Sequence, residues 1–349
     1  MRKFKLLLFF LSKCSGLFRL AGWVTRNSLK ILCYHGFSME DEADFRPKLF
    51  IRPERFDQRL AAIRRQGYNV LPLDDAIERL YSRTLPKHAL VITADDGFHS
   101  FHRLAVPLLR RYAFPATVYV TTYYVAHANP VFRLVVQYMF WKSRKRRLIL
   151  RDVPWSANRE IDLLDFAQTE QAIWQCINHG ERECTEEMRC AICEKLGALL
   201  ETPYEDIVRS KAFHLMSPDE LKSLAAVKVD VQLHTHRHIF PSSDQSLACR
   251  EINDNRNAIR QWIDAETRHF CYPSGLWEKC QWAWLDGMHV KSSTTCMPGF
   301  NSGKTPRHAL HRFLDGDNIH QLEFEAELTG FADLLRGLYA RIRGKKITQ

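Results

Sequence analysis

Two short stretches carry residues able to do chemistry. In "ALVITADDGFHS", Ala89 to Ser100, an apolar β-branched run that reads as a buried strand ends in Asp95 and Asp96, followed at once by Gly97. In "VDVQLHTHRHIF", His234, His236 and His238 stand just past another apolar strand. Imidazole with carboxylate is a ligand set for zinc and related divalent metals, and two histidines with one aspartate leave positions open for water and substrate, the mark of a catalytic site. Successive strand residues point to opposite faces, so one aspartate can bind a metal while its neighbour stays free. Alone, "DDG" reads first as a turn whose carboxylates cap a helix and pair with a cation. The histidines at a second strand end weigh against that reading.

The elements that must position these residues alternate. Strands are expected at Ile31–Tyr34, Asn69–Leu71, the run before Asp95, Ala116–Thr121, Val227–Leu233 and His269–Tyr272, with helical patterns between them, including 247–263. Such alternation argues for parallel strands joined by helical crossovers. Ser217 with Glu220 has capping-box spacing for a helix start. The rhythm lapses between about residues 126 and 215, read as a largely helical insertion into a unit spanning 31–349. No internal repeat is present, and the chain ends in a basic, polar tail.

The 349 residues can bury a large core, and the formal charge of +10 points to anionic partners. No nucleic-acid fold signature or regular basic and aromatic interleaving is found, so no nucleic-acid partner is expected. Ten cysteines at irregular spacings read as reduced thiols of a cytosolic protein, and "CAIC", Cys190 to Cys193, near Cys176 and Cys184, reads as helix packing in place of a zinc site. Residues 1–30 begin "MRKFKLLLFFLSKC", too short and interrupted to span a bilayer and without a small-residue cleavage site. A basic amphipathic helix on an anionic membrane and a plain packing helix both satisfy this pattern. "PVFRLVVQYMFW" followed by "KSRKRR" admits the same pair of readings.

"TADDG" resembles the T-F-D-D-G motif of the polysaccharide deacetylase (NodB-homology) family, and "HTHRH" resembles its H-[ST]-x-x-H motif. "ILCYHG" is similar to its first-strand Y-H element and "FCYPSG" to its third motif, in the same order. The resemblance covers roughly 31–125 and 215–313. It implies a distorted (β/α) barrel, Asp95 as general base, and Asp96, His234 and His238 as ligands of a divalent metal, zinc being the expected ion. His236 would be a neighbour, and Thr235 would help hold the loop. Three departures stand out. Ala94 replaces a phenylalanine, Cys271 occupies the place of an arginine that orients the base, and Ser274 replaces an aromatic residue. The late leucine-histidine motif is irregular in "ALHRF": His311 is the candidate acid, with His308 next, and Arg312 is an alternative group that could orient the base. A backbone N–H near Tyr272 is the candidate oxyanion donor.

The resemblance therefore implies a metal-dependent hydrolase removing an N-acyl group, acetyl first, from an amino sugar. With no export signal read, a cytoplasmic protein peripheral on the inner membrane is expected, acting on a polyprenyl-phosphate-linked or nucleotide-linked precursor of a cell-surface glycan. A deformylase or other C–N hydrolase on the same scaffold, and an inactive carbohydrate-binding relative, are the alternatives.

Overall fold

Eight parallel strands make the frame: β1 (Lys30–Tyr34), β2 (Asn69–Val70), β3 (Ala89–Ala94), β4 (Ala116–Val120), β5 (Val229–Leu233), β6 (His269–Cys271), β7 (Ser292–Thr294) and β8 (Phe313–Leu314). The computed structural model describes residues 2–342; the end of the basic tail, residues 343–349, lies outside them. Along the sheet the order is β7-β6-β5-β4-β3-β1-β8, with β2 also on β3. The ring closes where residues 293–295 meet the run-up to β8: the Leu310 N–H donates to the Ser293 carbonyl at 3.0 Å and the Thr295 N–H to the Leu310 carbonyl at 2.9 Å. The chain is thus a distorted (β/α) barrel, as the family resemblance implies.

β7 and β8 are silent in the hydrophobic pattern, β8 because it is only two residues long and β7 because "SST" is polar. Its hydroxyls find partners inside the barrel wall, Ser292 with His269 Nδ1 at 2.8 Å and Ser293 with His308 Nδ1 at 2.9 Å. Such pairing removes the cost of burying them.

Strand parity decides what faces the barrel axis. Ile31, Ala89, Val91, Tyr119, Cys271 and Leu310 form one buried cluster, and the alternate residues, among them Leu32, Leu90, Ile92, Val118 and Phe270, belong to the larger cluster under the helices. Cys33, His35, Thr93, Asp95, His234 and Arg312 therefore share the inward face.

Two helices precede β1, α1 (Arg2–Cys14) and α2 (Leu17–Val24). The insertion holds α3 (Phe132–Lys142), an antiparallel hairpin of 147–150 with 159–162, α4 (Phe166–Glu183) and α5 (Glu186–Leu200). α3 is the core helix of this insertion: Leu134, Val135, Val136, Met139 and Phe140 are buried. That corrects the interfacial reading of "PVFRLVVQYMFW", whose apolar residues point into protein on nearly every side. Three of the five cations in "KSRKRR" are engaged too: Lys142 pairs with Asp41, Lys145 with Glu201 at 3.1 Å and Arg147 with Glu160 at 3.0 Å. Cys176 and Cys193 are buried helix residues, and all ten cysteines are free. The Ser217–Glu220 capping box forms as its spacing implies.

After β8 come α6 (Gln321–Leu328) and α7 (Phe331–Ile342). Phe9 and Phe18 pack against Ala326 and Ala332, with the Phe331 ring 5.0 Å from Phe18. Residues 2–24 are therefore part of the body of the molecule.

Candidate active site

Asp95 extends the inward face of β3, its N–H donating to the Tyr34 carbonyl at 2.9 Å and its side chain buried. The backbone then turns left-handed, with φ of 69° at Asp96 and 85° at Gly97. Aspartate tolerates that conformation better than most residues, and it carries the Asp96 side chain off the strand's alternation, so the adjacent carboxylates diverge. At Gly97 the positive φ coincides with a tight approach, since a Cβ would lie 3.1 Å from Val120.

Asp96 turns toward the histidine loop. Its Oδ1 is 3.3 Å from His234 Nε2 and 3.4 Å from His238 Nε2, and the three ligand atoms lie within 4.8 Å of one another. An ion bonded tetrahedrally at about 2.0–2.2 Å needs ligand atoms roughly 3.4 Å apart, so this triangle fits one divalent cation. His234 is also oriented for it: Nδ1 donates to the Cys271 carbonyl at 2.8 Å, leaving Nε2 as the free electron pair. The His234 N–H is held by Asn255 Oδ1 at 3.0 Å, and Asn255 in turn donates to the Val120 carbonyl and Thr122. Thr235 and His238 adopt positive φ, of 67° and 59°, which curls the loop back so that His238 rejoins His234. The Thr235 hydroxyl is buried without a partner among the described residues. His236 points elsewhere, Nδ1 to the Thr122 hydroxyl at 2.8 Å. Burial favours neutral imidazole at His238, lowering it to about 4. It would push Asp96 up, but the three neighbouring imidazoles outweigh it and hold that carboxyl at about 2. Both directions suit metal ligation.

Asp95 has a different environment. The Arg312 guanidinium, itself fully buried, donates to both carboxylate oxygens at 2.6 and 2.7 Å, and to the Thr295 carbonyl at 2.9 Å. Burial alone would raise the Asp95 carboxyl; the Arg312 charge overrides it and holds the group well below the usual carboxylate range. Cys271 Sγ and Cys33 Sγ approach Asp95 Oδ2 at 3.3 and 3.5 Å. Arg312 Nη2 lies 3.0 Å from Cys271 Sγ, so the guanidinium reaches from another strand to the place where an arginine at position 271 would have stood.

One residue given no role in the sequence reading stands at the mouth. His35 Nε2 is 3.7 Å from Asp95 Oδ2, and the side chain is 17% exposed, enough to meet a ligand. Parity was its signal, two positions beyond inward Cys33 on β1. Gly36 sets it there, because a Cβ at that position would lie 2.2 Å from the Phe50 ring.

Three sequence candidates are not brought to this site. His311 lies two residues before Phe313, which pairs with Leu32, so it stands beside the start of β1, about 16 Å below the level of Asp95. Its parity is outward, over Gly299 and toward Asp333. His311 cannot act as the acid here, and His311→Ala is expected to leave turnover near the wild-type value in an acetate-release assay. His308 is engaged at both ring nitrogens, by Ser293 and by Asp286 at 2.9 Å each. Tyr272 faces outward, its hydroxyl donating to the His308 carbonyl and its N–H to the Thr294 carbonyl at 3.3 Å. That N–H continues the β6–β7 ladder and is not free for an oxyanion.

A family model described as polysaccharide deacetylase matches residues 168–287, a span that contains the histidine loop and "FCYPSG". Over that third of its length the chain is similar to the polysaccharide deacetylase family. The family is one of carbohydrate deacetylases, and its metal dependence agrees with the donor set found here. Solved structures similar to this chain include Streptococcus pyogenes deacetylase PplD in complex with acetate, at 18% identity and TM-score 0.58, covering 87% of this chain and 99% of that one. IcaB from Ammonifex degensii is 17% identical with TM-score 0.53, covering 86% and 97%. A de-N-acetylase from Aggregatibacter actinomycetemcomitans is 12% identical with TM-score 0.53, covering 86% and 99%. At these identities the likeness is one of fold. No curated relative matches the sequence.

Proposed function

We propose that this chain is a metal-dependent hydrolase that removes an N-acetyl group from an amino sugar. The observation that carries this reading is the separation of two aspartate roles within one turn: Asp96 in a ligand triangle with His234 and His238, Asp95 pinned beside it by Arg312. The solved neighbour named a de-N-acetylase supports N-acyl over O-acyl chemistry.

Asp96, His234 and His238 would hold a divalent cation, zinc being the expected one, which would supply Lewis acidity to the acyl carbonyl and to water. Asp95 accepts the proton of the attacking water. Arg312 keeps it ionised and fixes both its oxygens, so its position costs nothing to organise at the moment of reaction. The leaving amine needs a proton, and His35 is an imidazole at the mouth that lies beside the base and has no other hydrogen-bond partner among the described residues. A proton taken up by Asp95 has one short step to His35 and from there to the amine. With Arg312 in place of the expected arginine, the set is complete, which favours an enzyme over an inactive relative.

The substrate is proposed to carry an anionic group, such as the phosphate of a lipid or nucleotide carrier. The formal charge of +10 supports this part of the reading, whereas Arg133 of α3 is already paired with Glu181 at 2.6 Å.

Acetate release from N-acetylglucosamine oligomers tests the function. Chelation should abolish it and added divalent metal restore it. His35→Ala should lower turnover by about 10²-fold or more with metal content intact. Acetate release that survives complete chelation would remove metal dependence, and none from metal-loaded protein on any N-acetylated amino sugar would remove the proposal.

A further inference from the structure

The helices α1 and α2 are apolar on two opposite sides. One side is the seam of Phe9, Phe18 and Ala21 against α6 and α7. The other faces solvent: Phe4 (75% exposed), Leu7 and Leu11 on α1, Leu20 and Trp23 (61%) on α2, continued by Leu338 (56%) on α7. Helices apolar all round are normally covered, and exposed apolar surface on this scale marks an interaction site.

Charge says what covers it. From residue 1 to residue 39 the sequence has no Asp or Glu, while Arg2, Lys3, Lys5, Lys13, Arg19 and Arg26 are all cationic. The carboxylates beneath, on α6, are already neutralised: Glu323 by Arg2 at 3.2 Å and Lys5 at 2.9 Å, Glu325 by Lys13, and Glu327 by Arg336 of α7 at 2.5 Å. Lys3 and Arg19 are exposed and have no ion pair among the described residues. The Arg26 guanidinium stacks over Trp23 at 4.1 Å, a cation and an indole of the kind that sits at a headgroup boundary.

We propose that α1, α2 and α7 form a docking surface for an anionic lipid bilayer, the apolar row entering the interface while Lys3, Arg19 and Arg26 meet headgroup phosphates. A second copy of the chain fits less well, since a two-fold contact would set this all-cationic patch against itself. A membrane span does not fit either. No single described helix is long and apolar enough to cross a bilayer; α1 and α2 pass only together, bent by 77°, and their inner seam is committed to the body. The surface runs up to the active-site end of the barrel: Arg2 donates to the Asn318 carbonyl at 2.5 Å, in the loop whose Asp315 accepts from Tyr34 at the end of β1.

The test is sedimentation of the full chain with vesicles of phosphatidylcholine alone or with about one-third phosphatidylglycerol. Binding to the anionic vesicles is expected, weakening as salt rises. Leu7→Ser with Trp23→Ser should lower partitioning at least about ten-fold on both kinds of vesicle. Lys3→Glu with Arg19→Glu should lower it about ten-fold or more on anionic vesicles only. Phe166→Ser, 79% exposed on the insertion, should bind as wild type. These residues are exposed, so unchanged melting temperatures would show that folding is intact. Failure of all vesicle binding, equal loss in Phe166→Ser, or retention through high salt and alkaline washing would each overturn the proposal. So would a dimer without vesicles that Leu7→Ser with Trp23→Ser dissolves. None of these outcomes depends on the deacetylase reading.

Discussion

Asp95→Asn is expected to retain about one equivalent of divalent metal while turnover falls by about 10²–10⁴-fold. The amide keeps the shape of the carboxylate and one acceptor oxygen for Arg312, but it cannot take up a proton. Asp96→Asn should behave differently. It replaces the anionic corner of the ligand triangle, so His234 and His238 are left with a neutral amide and the protein should be metal-poor at ordinary metal levels. Excess metal should partly restore the second variant and not the first. Metal content by atomic emission, beside acetate release, separates the two. Equal metal loss in both would show that the aspartates share the ion and that Asp95 is not a free base. If both were merely turn and capping residues, each substitution would cost about 0.5–2 kcal/mol of stability and leave metal content untouched.

Arg312→Met should be the most destabilising single change at the site. It leaves the Asp95 carboxylate buried without its cation, and breaking one partner out of a buried pair costs about 3–5 kcal/mol. Activity should fall with stability, since the base loses the fork that orients it. The informative measurement is the double variant. Asp95→Asn in the Arg312→Met background removes the stranded charge, so a large part of the lost stability should return while turnover does not. Arg312→Lys keeps a charge but not two parallel donors, and should recover part of the stability with turnover still depressed. Urea denaturation of the four proteins gives the comparison. If Arg312→Met and the double variant unfold at the same denaturant concentration, the pair is not the electrostatic link that its geometry describes.

Much of the barrel was legible from sequence because its central strands are apolar and β-branched, and such runs separated by helical patterns have few alternatives to a parallel sheet. The carboxylate pair and the histidine loop were legible for the same reason. Each stands at the C-terminal end of such a run, where a barrel gathers its functional groups. What sequence could not supply was contact between residues far apart in the chain. The strands at 292–294 and 313–314 are short, and the polar side chains of the first are satisfied only by partners from elsewhere in the barrel, as His269 satisfies Ser292. Without those strands there is no parity for the stretch "ALHRF", and hence no way to see that His311 faces outward while Arg312 faces Asp95. Likewise "PVFRLVVQYMFW" has the composition of an interfacial helix; only the packing of the insertion around it makes it a core helix. Composition determines that apolar surface must be covered, and tertiary structure decides by what: by protein on nearly every side for that helix, and on one side only for the pair that precedes the first strand.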